Sequence, residues 1–294
     1  MQGGQIGELT RQGKAAAVRL AKRLGLPHDE PVILSNRGNL LVQLTPAPVV
    51  ARVATLTARS RRNPIEWLAR EVAVAGYVAS RGGPVVPPAA DAGPHWQDGF
   101  AISLWEYVRA LDTVPAPAEV GSALACLHRI ARGCPAEVGG LNAATDQVAD
   151  GLAMLEREAV LDAGTLAALR DAHAAALSEM RSAGGEPVVL HGDAHHGNLL
   201  LAPGHRWLWI DLEETGRGPA AWDLATMVSH YPEHEGRDAL AAYAAESGTA
   251  VPALAPFRRA RDLEAAVWSA CMAHLYPARY REVARRLLAS VLRG

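Results

Sequence analysis

The spacing of hydrophobic and polar residues divides the chain into two parts. From Pro31 to about Val108, short hydrophobic runs alternate with polar and turn-forming residues, a pattern that predicts β-strands. One segment with helical spacing is inserted between the third run and the fourth. The strand-like runs are PVILS, NLLVQL, PVVARVA and FAISLWEYV. The pattern therefore predicts a small sheet with one helix.

The remainder of the chain, from about Pro115, favours helices. Hydrophobic residues recur there at intervals of three and four, which is the period of an amphipathic helix. The helical segments are PAEVGSALACLHRIA, DQVADGLAMLEREAV, AGTLAALRDAHAAALSEMRS and DLEAAVWSACMAHL. A strand-like stretch, VVLHGDAHHGNLLLAPGHRWLWIDLEETGRG, interrupts them. We therefore expect an N-terminal lobe over residues 1–108 and a mainly helical C-terminal lobe over residues 109–294.

The helix inserted in the first lobe has recognisable end signals. Asn63 fits an N-cap, Pro64 fits the first helical position, and Glu66 follows the cap by three residues. These signals predict a helix from residue 64 to about residue 81. Spacings of four, three and four place four residues on one face, Trp67, Glu71, Val74 and Val78.

Glu71 stands in an otherwise apolar stripe of this helix. A buried carboxylate without a partner is costly, so the residue needs a positive charge nearby. Arg52, in the middle of the strand-like run PVVARVA, is the candidate partner. The alternative is that Glu71 lies on a solvated helix face. We expect an ion pair between Arg52 and Glu71.

Composition and charge exclude several classes of function. The 294 residues are 49% hydrophobic with a mean hydropathy of +0.01, which fits a globular protein with a substantial core. A formal net charge of −2 and a pI of about 6.6 argue against nucleic acid or an anionic membrane as partner. The sequence contains no run of about eighteen apolar residues, so we expect no membrane span. Three widely spaced cysteines, in no CxxC pair, favour the reducing cytoplasm over a disulfide-bonded or thiolate-zinc fold.

The stretch HGDAHHGN, residues 191–198, concentrates polar residues directly after a hydrophobic run. One interpretation is a zinc site with the ligands His191, Asp193, His195 and His196. Such a site would belong to a metallo-hydrolase, although the usual histidine-rich run of that class has a different order and no compelling later ligands follow. His196 also has a plainer explanation as a polar loop residue. The zinc site stays as the alternative interpretation.

The second interpretation uses oxygen ligands. Between Asn198 and Asp211, two hydrophobic runs flank the turn signal Pro203-Gly204, which predicts a β-hairpin. Pairing outward from that turn brings Asn198 and Asp211 to the same end of the ladder, where opposed Cβ atoms lie roughly 5 Å apart. An amide oxygen and a carboxylate so placed can share Mg²⁺, which takes phosphate oxygens and water as its other ligands. Asp193, on the loop that enters the hairpin, would then face a reacting hydroxyl.

This order of residues resembles the aminoglycoside phosphotransferase family, also called the phosphotransferase enzyme family. The matching motifs are His-Gly-Asp-x-His-x-x-Asn at residues 191–198 and Ile-Asp-x-Glu within WIDLEETGRG, followed by GRGPAAWDLATM. The resemblance implies an α+β, protein-kinase-like fold of two lobes, with a small antiparallel sheet and one helix in the first. It implies Asp193 as catalytic base, Asn198 and Asp211 as Mg²⁺ ligands, and His191, His195 and Asp223 as residues that support the loop.

The resemblance also implies ATP or GTP, together with Mg²⁺, as the cofactor. Most relatives have lysine at the strand position where this chain has arginine, and arginine keeps the charge while changing its geometry. The implied nucleotide contacts are Arg52 with Glu71 at the phosphates, Ser35, Asn36 and Gly38 in a covering turn, and the backbone of Glu106 and Val108 at the purine. The turn residues alternatively form a simple hairpin turn with no role in binding.

A small-molecule hydroxyl is the acceptor that the resemblance implies. Family members phosphorylate aminoglycosides, macrolides, choline, homoserine, methylthioribose and sugars. We expect an aminoglycoside or other antibiotic, with a small-metabolite kinase as the alternative, and a monomer or homodimer. A net charge near zero does not favour a strongly polycationic acceptor. The candidate acceptor-binding residues, which alternatively lie on solvated loop or helix faces, are Glu213, Glu233, Glu235, Asp238, Asp262, Glu264 and Trp268.

Overall fold

The computed structural model describes residues 2–293, with side chains described for residues 6–141 and 146–293. The helices are α1 Gln2–Arg23, α2 Thr57–Ser60, α3 Pro64–Ala79, α4 Pro117–Ala131, α5 Asn142–Arg157, α6 Ala163–Ala183, α7 Ala221–Ser229, α8 Glu233–Ser247, α9 Ala255–Leu275 and α10 Pro277–Val291. The strands are β1 Val32–Asn36, β2 Leu40–Gln43, β3 Val49–Val53, β4 His95–Gln97, β5 Phe100–Glu106, β6 Pro187–Leu190, β7 Leu199–Ala202, β8 Arg206–Trp209 and β9 Gly216–Pro219. A 3-10 turn, His196–Asn198, precedes β7.

The chain divides into two compact units. The first comprises the chain up to Thr113 together with Cys134–Glu137 and Leu199–Glu213. The second comprises Val114–Gly133, Val138–Asn198 and the chain from Glu214 onward. The hairpin of β7 and β8 therefore belongs to the same unit as the N-terminal sheet, although it comes late in the sequence.

The first unit is built on a five-stranded antiparallel sheet with the strand order β1-β2-β3-β5-β4. Residues of three central strands, among them Val42, Ala51 and Ile102, are fully buried. Helix α1 packs on the sheet through a stripe of small and branched residues, Ala16, Ala17, Leu20 and Ala21. The small antiparallel sheet predicted from the sequence is confirmed.

The first unit also contains elements that were not predicted from the sequence. Helix α1 and the short helix α2 accompany α3, and the sheet has an extra strand, β4. The buried stripe of α1 recurs at helical spacing in a segment that is otherwise polar, so α1 is amphipathic and its pattern was available in the sequence. Strand β4 has only three residues, and Trp96 in its middle is 57% exposed. Strand β4 is therefore too short to show a periodic pattern.

Helix α3 presents the face that its sequence predicts. Trp67, Glu71, Val74 and Val78 are all buried. The helix ends at Ala79, two residues before the predicted end. Asn63 occupies the predicted N-cap position and Pro64 the first helical position, but the capping itself differs from the expectation. Asn63 has left-handed backbone, with φ of 52°, and its side chain makes no capping hydrogen bond.

Strands β7 and β8 form the predicted hairpin. Leu199 pairs with Trp209 at its open end, and Gly204 in the turn has a positive φ of 84°. Because a left-handed conformation suits glycine, the Pro-Gly turn signal is realised as the sequence indicates. Strand β7 begins directly after Asn198, and β8 ends two residues before Asp211.

The second unit is mainly helical, as predicted, and the helices expected from periodicity correspond to α4, α5, α6 and α9. One of its hydrophobic cores lies among α5, α6, α9 and α10 and includes Leu155, Leu169, Val267 and Met272. Helices α7, α8 and α10 were not predicted; α8, for example, buries small residues such as Gly236 and Ala239, which give little hydrophobic contrast. Within residues 2–293, no helix combines the length and apolar character that crossing a bilayer requires.

A two-stranded ladder in the second unit positions the motif HGDAHHGN. Strand β6 runs antiparallel to β9, with Leu190 paired to Gly216. The Thr215 hydroxyl donates to the carbonyl of Leu190 at 2.7 Å and closes this end of the ladder. The segment that leaves β6 therefore lies beside the residues that enter β9.

Candidate active site

A buried carboxylate, Asp223, holds the loop that follows β6. Its Oδ2 accepts a hydrogen bond from the backbone N–H of His191 at 2.7 Å, and its Oδ1 accepts one from the backbone N–H of Gly192 at 2.9 Å. Asp223 lies in the first turn of α7 and is completely buried. Hydrogen bonds to an ionised carboxylate are roughly twice as strong as neutral ones. The two contacts therefore fix the backbone that leads into Asp193.

His128 on α4 and Tyr243 on α8 complete the surroundings of Asp223. His128 Nε2 lies 2.9 Å from Asp223 Oδ2, and His128 Nδ1 lies 2.9 Å from the Tyr243 hydroxyl. Burial and the charge of Asp223 raise the pKa of Tyr243 to about 12, so the hydroxyl keeps its proton. Because a carboxylate only accepts hydrogen bonds, the N–H at Nε2 of His128 donates to Asp223. Sequence reasoning missed both residues; the available signal was a histidine on the buried face of α4.

Gly192 is required by the close approach of the segment before β9. Its φ is 96°, and a Cβ atom there would lie 2.4 Å from the carbonyl oxygen of Glu214. The indole N–H of Trp222 donates to the carbonyl of Gly192 at 2.8 Å. The glycine of the His-Gly-Asp motif therefore lets the loop turn tightly against its neighbours.

Asp193 carries a carboxylate that is 30% exposed and bound by cationic and polar groups. Its Oδ1 accepts a hydrogen bond from Nη2 of Arg261 at 2.6 Å. Its Oδ2 lies 3.4 Å from Nε2 of His195 and 3.4 Å from Nδ2 of Asn198. Burial alone would raise the pKa of Asp193, but the hydrogen bond with His195 and the charge of Arg261 outweigh burial and hold the pKa well below its ordinary value. Asp193 is therefore an ionised hydrogen-bond acceptor.

Arg261, on α9, is the main contact of Asp193 that sequence reasoning missed. Its Nη1 donates to Glu264 at 2.7 Å and to Glu214 at 3.1 Å, and its guanidinium lies 5.1 Å from the ring centre of Trp222. Burial lowers the pKa of Arg261, but the charges of Glu264, Asp193 and Glu214 outweigh burial and raise the pKa above its ordinary value. The guanidinium stays charged.

The histidines of the motif form hydrogen bonds and ring contacts rather than a ligand set. His195 Nδ1 accepts the backbone N–H of Gly197 at 3.0 Å, and the His195 ring stacks on His230 with centroids 4.4 Å apart. Burial and the neighbouring His195 lower the pKa of His196. Among the described residues, no group of three His, Cys, Asp or Glu side chains is placed to hold a metal ion. The zinc interpretation therefore gains no support.

In the first unit, Arg52 of β3 contacts three carboxylates. Its Nη1 lies 3.1 Å from Glu71, and its Nη2 lies 2.5 Å from Asp211 and also contacts Glu213. The predicted ion pair between Arg52 and Glu71 is present, and both side chains are buried. Asn39 donates to Glu213 at 2.7 Å and joins the same cluster. Sequence reasoning did not anticipate Asn39.

Burial and charge act in opposite directions within this cluster. Burial raises the pKa of Glu71 to about 8, although the Arg52 charge opposes it. Burial also raises the pKa of Glu213, again against the effect of Arg52. Burial lowers the pKa of Arg52, but Asp211, Glu71 and Glu213 outweigh burial and raise the pKa well above its ordinary value. The cluster is thus one permanent positive charge that three carboxylates share.

The chemistry of the two proposed Mg²⁺ ligands fits that ion. Asp211 has left-handed backbone, with φ of 66°, and a carboxylate that is 41% exposed. Asn198 gives its amide nitrogen to the backbone carbonyl of Asp193 at 2.9 Å, so its amide oxygen is the atom that can bind a cation. Carboxylate and amide oxygens are ligands that Mg²⁺ prefers.

The amino-acid sequence matches the model of the phosphotransferase enzyme family over residues 33–263, which is more than half of the chain. The chain belongs to this family. The resemblance predicted from the motifs is thereby confirmed, and the chain is a phosphotransferase that acts on small-molecule hydroxyls. No curated protein matches it.

Several solved structures share the fold of this phosphotransferase. Amicoumacin kinase hAmiN, in complex with AMP-PNP, Ca²⁺ and Ami, aligns with a TM-score of 0.69 and 11% identity, over 94% of this chain and 92% of that one. A choline/ethanolamine kinase family protein from Mesorhizobium loti gives 0.64 and 20%, over 95% and 93%. An aminoglycoside-3'-phosphotransferase of type VIII gives 0.60 and 22%, over 86% and 99%. The predicted α+β, protein-kinase-like fold class is confirmed.

The other predicted nucleotide contacts of the phosphotransferase lie in the first unit. Asn36 gives its side-chain amide to the Thr10 hydroxyl at 2.7 Å. The carbonyl of Gly38 accepts the N–H groups of residues 56 and 57 at 3.0 and 3.2 Å, which ties down the turn. Glu106 donates its own N–H to the carbonyl of Pro87 at 3.0 Å, so that N–H is not the group that would meet a purine. Ser35 lies in β1, and Val108 is partly buried beside the β7–β8 hairpin.

The predicted acceptor-binding residues have different surroundings. Glu264 is buried against Arg261, and Glu213 belongs to the Arg52 cluster. Trp268 packs in the core of the second unit, with its ring centre 5.4 Å from that of Tyr280. The remaining residues lie on α8 and α9 and are exposed or half-buried, Glu233, Glu235, Asp238 and Asp262.

Proposed function

We propose that this phosphotransferase moves the γ-phosphate of ATP or GTP to a hydroxyl of a small molecule. An aminoglycoside or other antibiotic is the first acceptor class, and choline, homoserine or a sugar is the alternative. The arrangement around Asp193 carries the proposal. Its carboxylate stays ionised. The two residues directly before it donate their backbone N–H groups to the buried Asp223, which fixes the position of the loop. A carboxylate fixed in this way can orient a hydroxyl for attack on phosphorus.

Asp193 acts on the acceptor hydroxyl more through position than through basicity. The hydroxyl donates a hydrogen bond to the carboxylate, and its proton passes to the carboxylate late, as the new bond to phosphorus forms. The low pKa of Asp193 supports this order, because an acidic carboxylate takes a proton only from a hydroxyl that has already lost electron density. Arg261 and His195 keep the carboxylate ionised before that step.

Arg52 is the proposed phosphate contact of the nucleotide. A guanidinium stays charged and offers several parallel donors to phosphate oxygens. Glu71 contacts its Nη1 at 3.1 Å, and Asp211 contacts its Nη2 at 2.5 Å. When bound, Mg²⁺ would neutralise charge on the phosphates, and Asn198 and Asp211 are its proposed protein ligands.

The ion pairs of the predicted acceptor-binding residues bear on the choice of acceptor. Glu264 is neutralised by Arg261 at 2.7 Å, and Glu233 pairs with Arg237 at 2.6 Å. A polycationic acceptor would have to compete with these arginines for the carboxylates. Antibiotics and amino alcohols with few positive charges are therefore included in the test beside the aminoglycosides.

The test is a screen of ATP and GTP consumption with aminoglycosides, macrolides, peptide antibiotics, amino alcohols and sugars as acceptors. Asp193→Asn should lower turnover by about 10²–10⁴-fold, the usual contribution of a general base, and leave nucleotide affinity nearly intact. Asp171→Asn, an exposed change on α6, is the matched control and should behave as the unaltered protein. Equal turnover in Asp193→Asn would remove Asp193 from the mechanism.

A further inference from the structure

The two carboxylate oxygens of Asp193 are bound unequally. Oδ1 accepts a charge-assisted hydrogen bond from Nη2 of Arg261 at 2.6 Å. Oδ2 has Nε2 of His195 and Nδ2 of Asn198 as neighbours, each at 3.4 Å. Both contacts are longer than the N–H···O mode of about 2.9–3.0 Å, so neither is a short hydrogen bond that saturates this oxygen. Oδ2 is therefore the oxygen with capacity left for a hydroxyl.

Arg261 is itself fixed by contacts that do not involve Asp193. Its Nη1 binds Glu264 at 2.7 Å and Glu214 at 3.1 Å, and its side chain is 15% exposed. The guanidinium also lies 5.1 Å from the ring centre of Trp222. Because a guanidinium is planar and its donors have fixed directions, anchoring Nη1 sets the direction from which Nη2 meets Asp193.

We infer that Arg261 is a positioning residue for phosphoryl transfer, which binds Oδ1 of Asp193 so that Oδ2 faces the acceptor hydroxyl. The inference rests on the proposed function, in which Asp193 is the base. It adds a residue from α9, 68 positions away, that is not part of the motif. Glu264 and Glu214 contribute indirectly, because they accept hydrogen bonds from Nη1 of Arg261 and so hold its guanidinium in place.

In the proposed step, two bonds form and two bonds break. The acceptor oxygen forms a bond to the γ-phosphorus, and the bond between that phosphorus and the bridging oxygen breaks, with its electron pair leaving on the nucleoside diphosphate. The acceptor O–H bond breaks, and the proton passes to Oδ2 of Asp193. Arg261 takes no proton; it prevents the carboxylate from rotating its bound oxygen toward the acceptor.

Hydrolysis of Mg·ATP, measured as ADP release, tests the inference with water as the acceptor, so no identified acceptor is needed. Arg261→Ala should lower kcat by about 10–100-fold, the scale expected for a misplaced reacting group, with little change in KM for ATP. Affinity for AMP-PNP, measured by titration calorimetry, should also stay. Added guanidinium should restore part of the lost turnover, and Arg261→Lys should retain part of it. A contact that served only to stabilise α9 would give no such rescue.

Arg259→Ala is the matched control. Arg259 lies on the same helix and pairs with Glu179 at 2.8 Å, but it is exposed and has no contact with Asp193. Its replacement should leave turnover unchanged. If Arg261→Ala hydrolyses ATP as well as the unaltered protein while Asp193→Asn does not, the positioning role is overturned and the proposed function stands. Equal loss of nucleotide affinity and turnover in Arg261→Ala would also overturn it.

A second measurement needs no turnover. The guanidinium ¹⁵N resonances of Arg261, assigned by comparison with Arg261→Lys, should show slow rotation about the Cζ–Nη bonds, and Asp193→Asn should remove or shift the Nη2 signal. An Arg261 spectrum that does not respond to Asp193→Asn would overturn the inference. If the unaltered protein hydrolyses no ATP without an acceptor, this spectrum decides whether Arg261 holds Asp193, and the acceptor screen decides the proposed function. If Arg261→Ala does not fold, Arg261→Lys carries the kinetic comparison.

Discussion

Burial raises the pKa of a carboxylate, and neighbouring charges and hydrogen bonds offset this rise to different degrees at Glu71 and Asp193. Burial raises the pKa of Glu71 to about 8, and Arg52 at 3.1 Å offsets only part of that effect. Burial acts in the same direction on Asp193, but His195 and Arg261 outweigh it and the pKa falls. Glu71 shares its one cation with two other carboxylates, whereas Asp193 has polar hydrogens on both oxygens.

The raised pKa of Glu71 predicts a pH dependence of stability in the protein without nucleotide. Its folded-state pKa of about 8 lies above the ordinary value of 4.5, so between these values the folded state binds a proton that the unfolded state has released. The contribution of Glu71 is therefore fully present below about pH 4.5 and is lost as the pH rises through 8. The difference in free energy of unfolding between the unaltered protein and Glu71→Gln, measured in urea at pH 5 and pH 8, should shrink toward pH 8. A difference that grows instead would contradict the shift.

Asp223→Ala should strongly destabilise the second unit. The change leaves the buried N–H groups of His191 and Gly192 and the ring of His128 without their acceptor. Removing one partner of a buried charged network typically costs about 3–5 kcal/mol. Urea denaturation would measure it, with Asp171→Ala, an exposed change on α6, as the control that should stay within about 0.5 kcal/mol of the unaltered protein. An equally small effect for Asp223→Ala would mean that the loop is held by other contacts.

At the residue level, the sequence predicted the residues of the motif but not the distant residues that contact them, and the reason is physical. Asp193, Asn198 and Asp223 lie within one short segment, where spacing alone indicates a common task. Arg261 and His128 reach the same residues from 68 and 95 positions away. Such contacts depend on how the helices pack against each other, and the spacing of residues along the chain does not encode that packing.

Among the elements, helices were predictable where their buried face combines large apolar residues with polar ones opposite. Helix α3 meets this condition, and its face with Glu71 was predicted correctly. Its start at Pro64 was also predicted correctly, but the left-handed backbone of Asn63 and the lack of a capping hydrogen bond from its side chain were not. An asparagine suits both conformations, so the residue type could not distinguish them.

The conformation of Asn63 can be tested by substitution at the start of α3. Threonine is a good N-cap residue but is β-branched and disfavoured in left-handed backbone. With φ of 52° at this position, Asn63→Thr should cost about 1–2 kcal/mol of the free energy of unfolding, measured in urea. Asn63→Gly, which fits left-handed backbone, is the matched control and should be neutral or stabilising. If Asn63→Thr has the same free energy of unfolding as Asn63→Gly, the backbone at residue 63 is not left-handed and a capping side chain is tolerated there.

At the scale of the whole molecule, the predicted site residues are divided between two units. Arg52, Glu71 and Asp211 belong to the first, and Asp193 and Asn198 belong to the second. The hydrophobic pattern predicted the contrast between a sheet and a mainly helical part, since that contrast is a change of period along the chain. It did not predict that the β7–β8 hairpin belongs to the same unit as the N-terminal sheet, because periodicity reports local structure only.

This division predicts that nucleotide binding and phosphoryl transfer can be lost separately. Asp211→Ala removes a proposed Mg²⁺ ligand and a partner of Arg52 at 2.5 Å, so it should lower affinity for AMP-PNP in the presence of Mg²⁺ by about tenfold or more, a loss of about 1.4 kcal/mol. Without Mg²⁺ its affinity should approach that of the unaltered protein, whereas Asp193→Asn should bind normally under both conditions. Titration calorimetry with and without the metal measures all of these values. An Asp211→Ala protein whose nucleotide affinity still responds fully to Mg²⁺ would show that the metal is held by other residues.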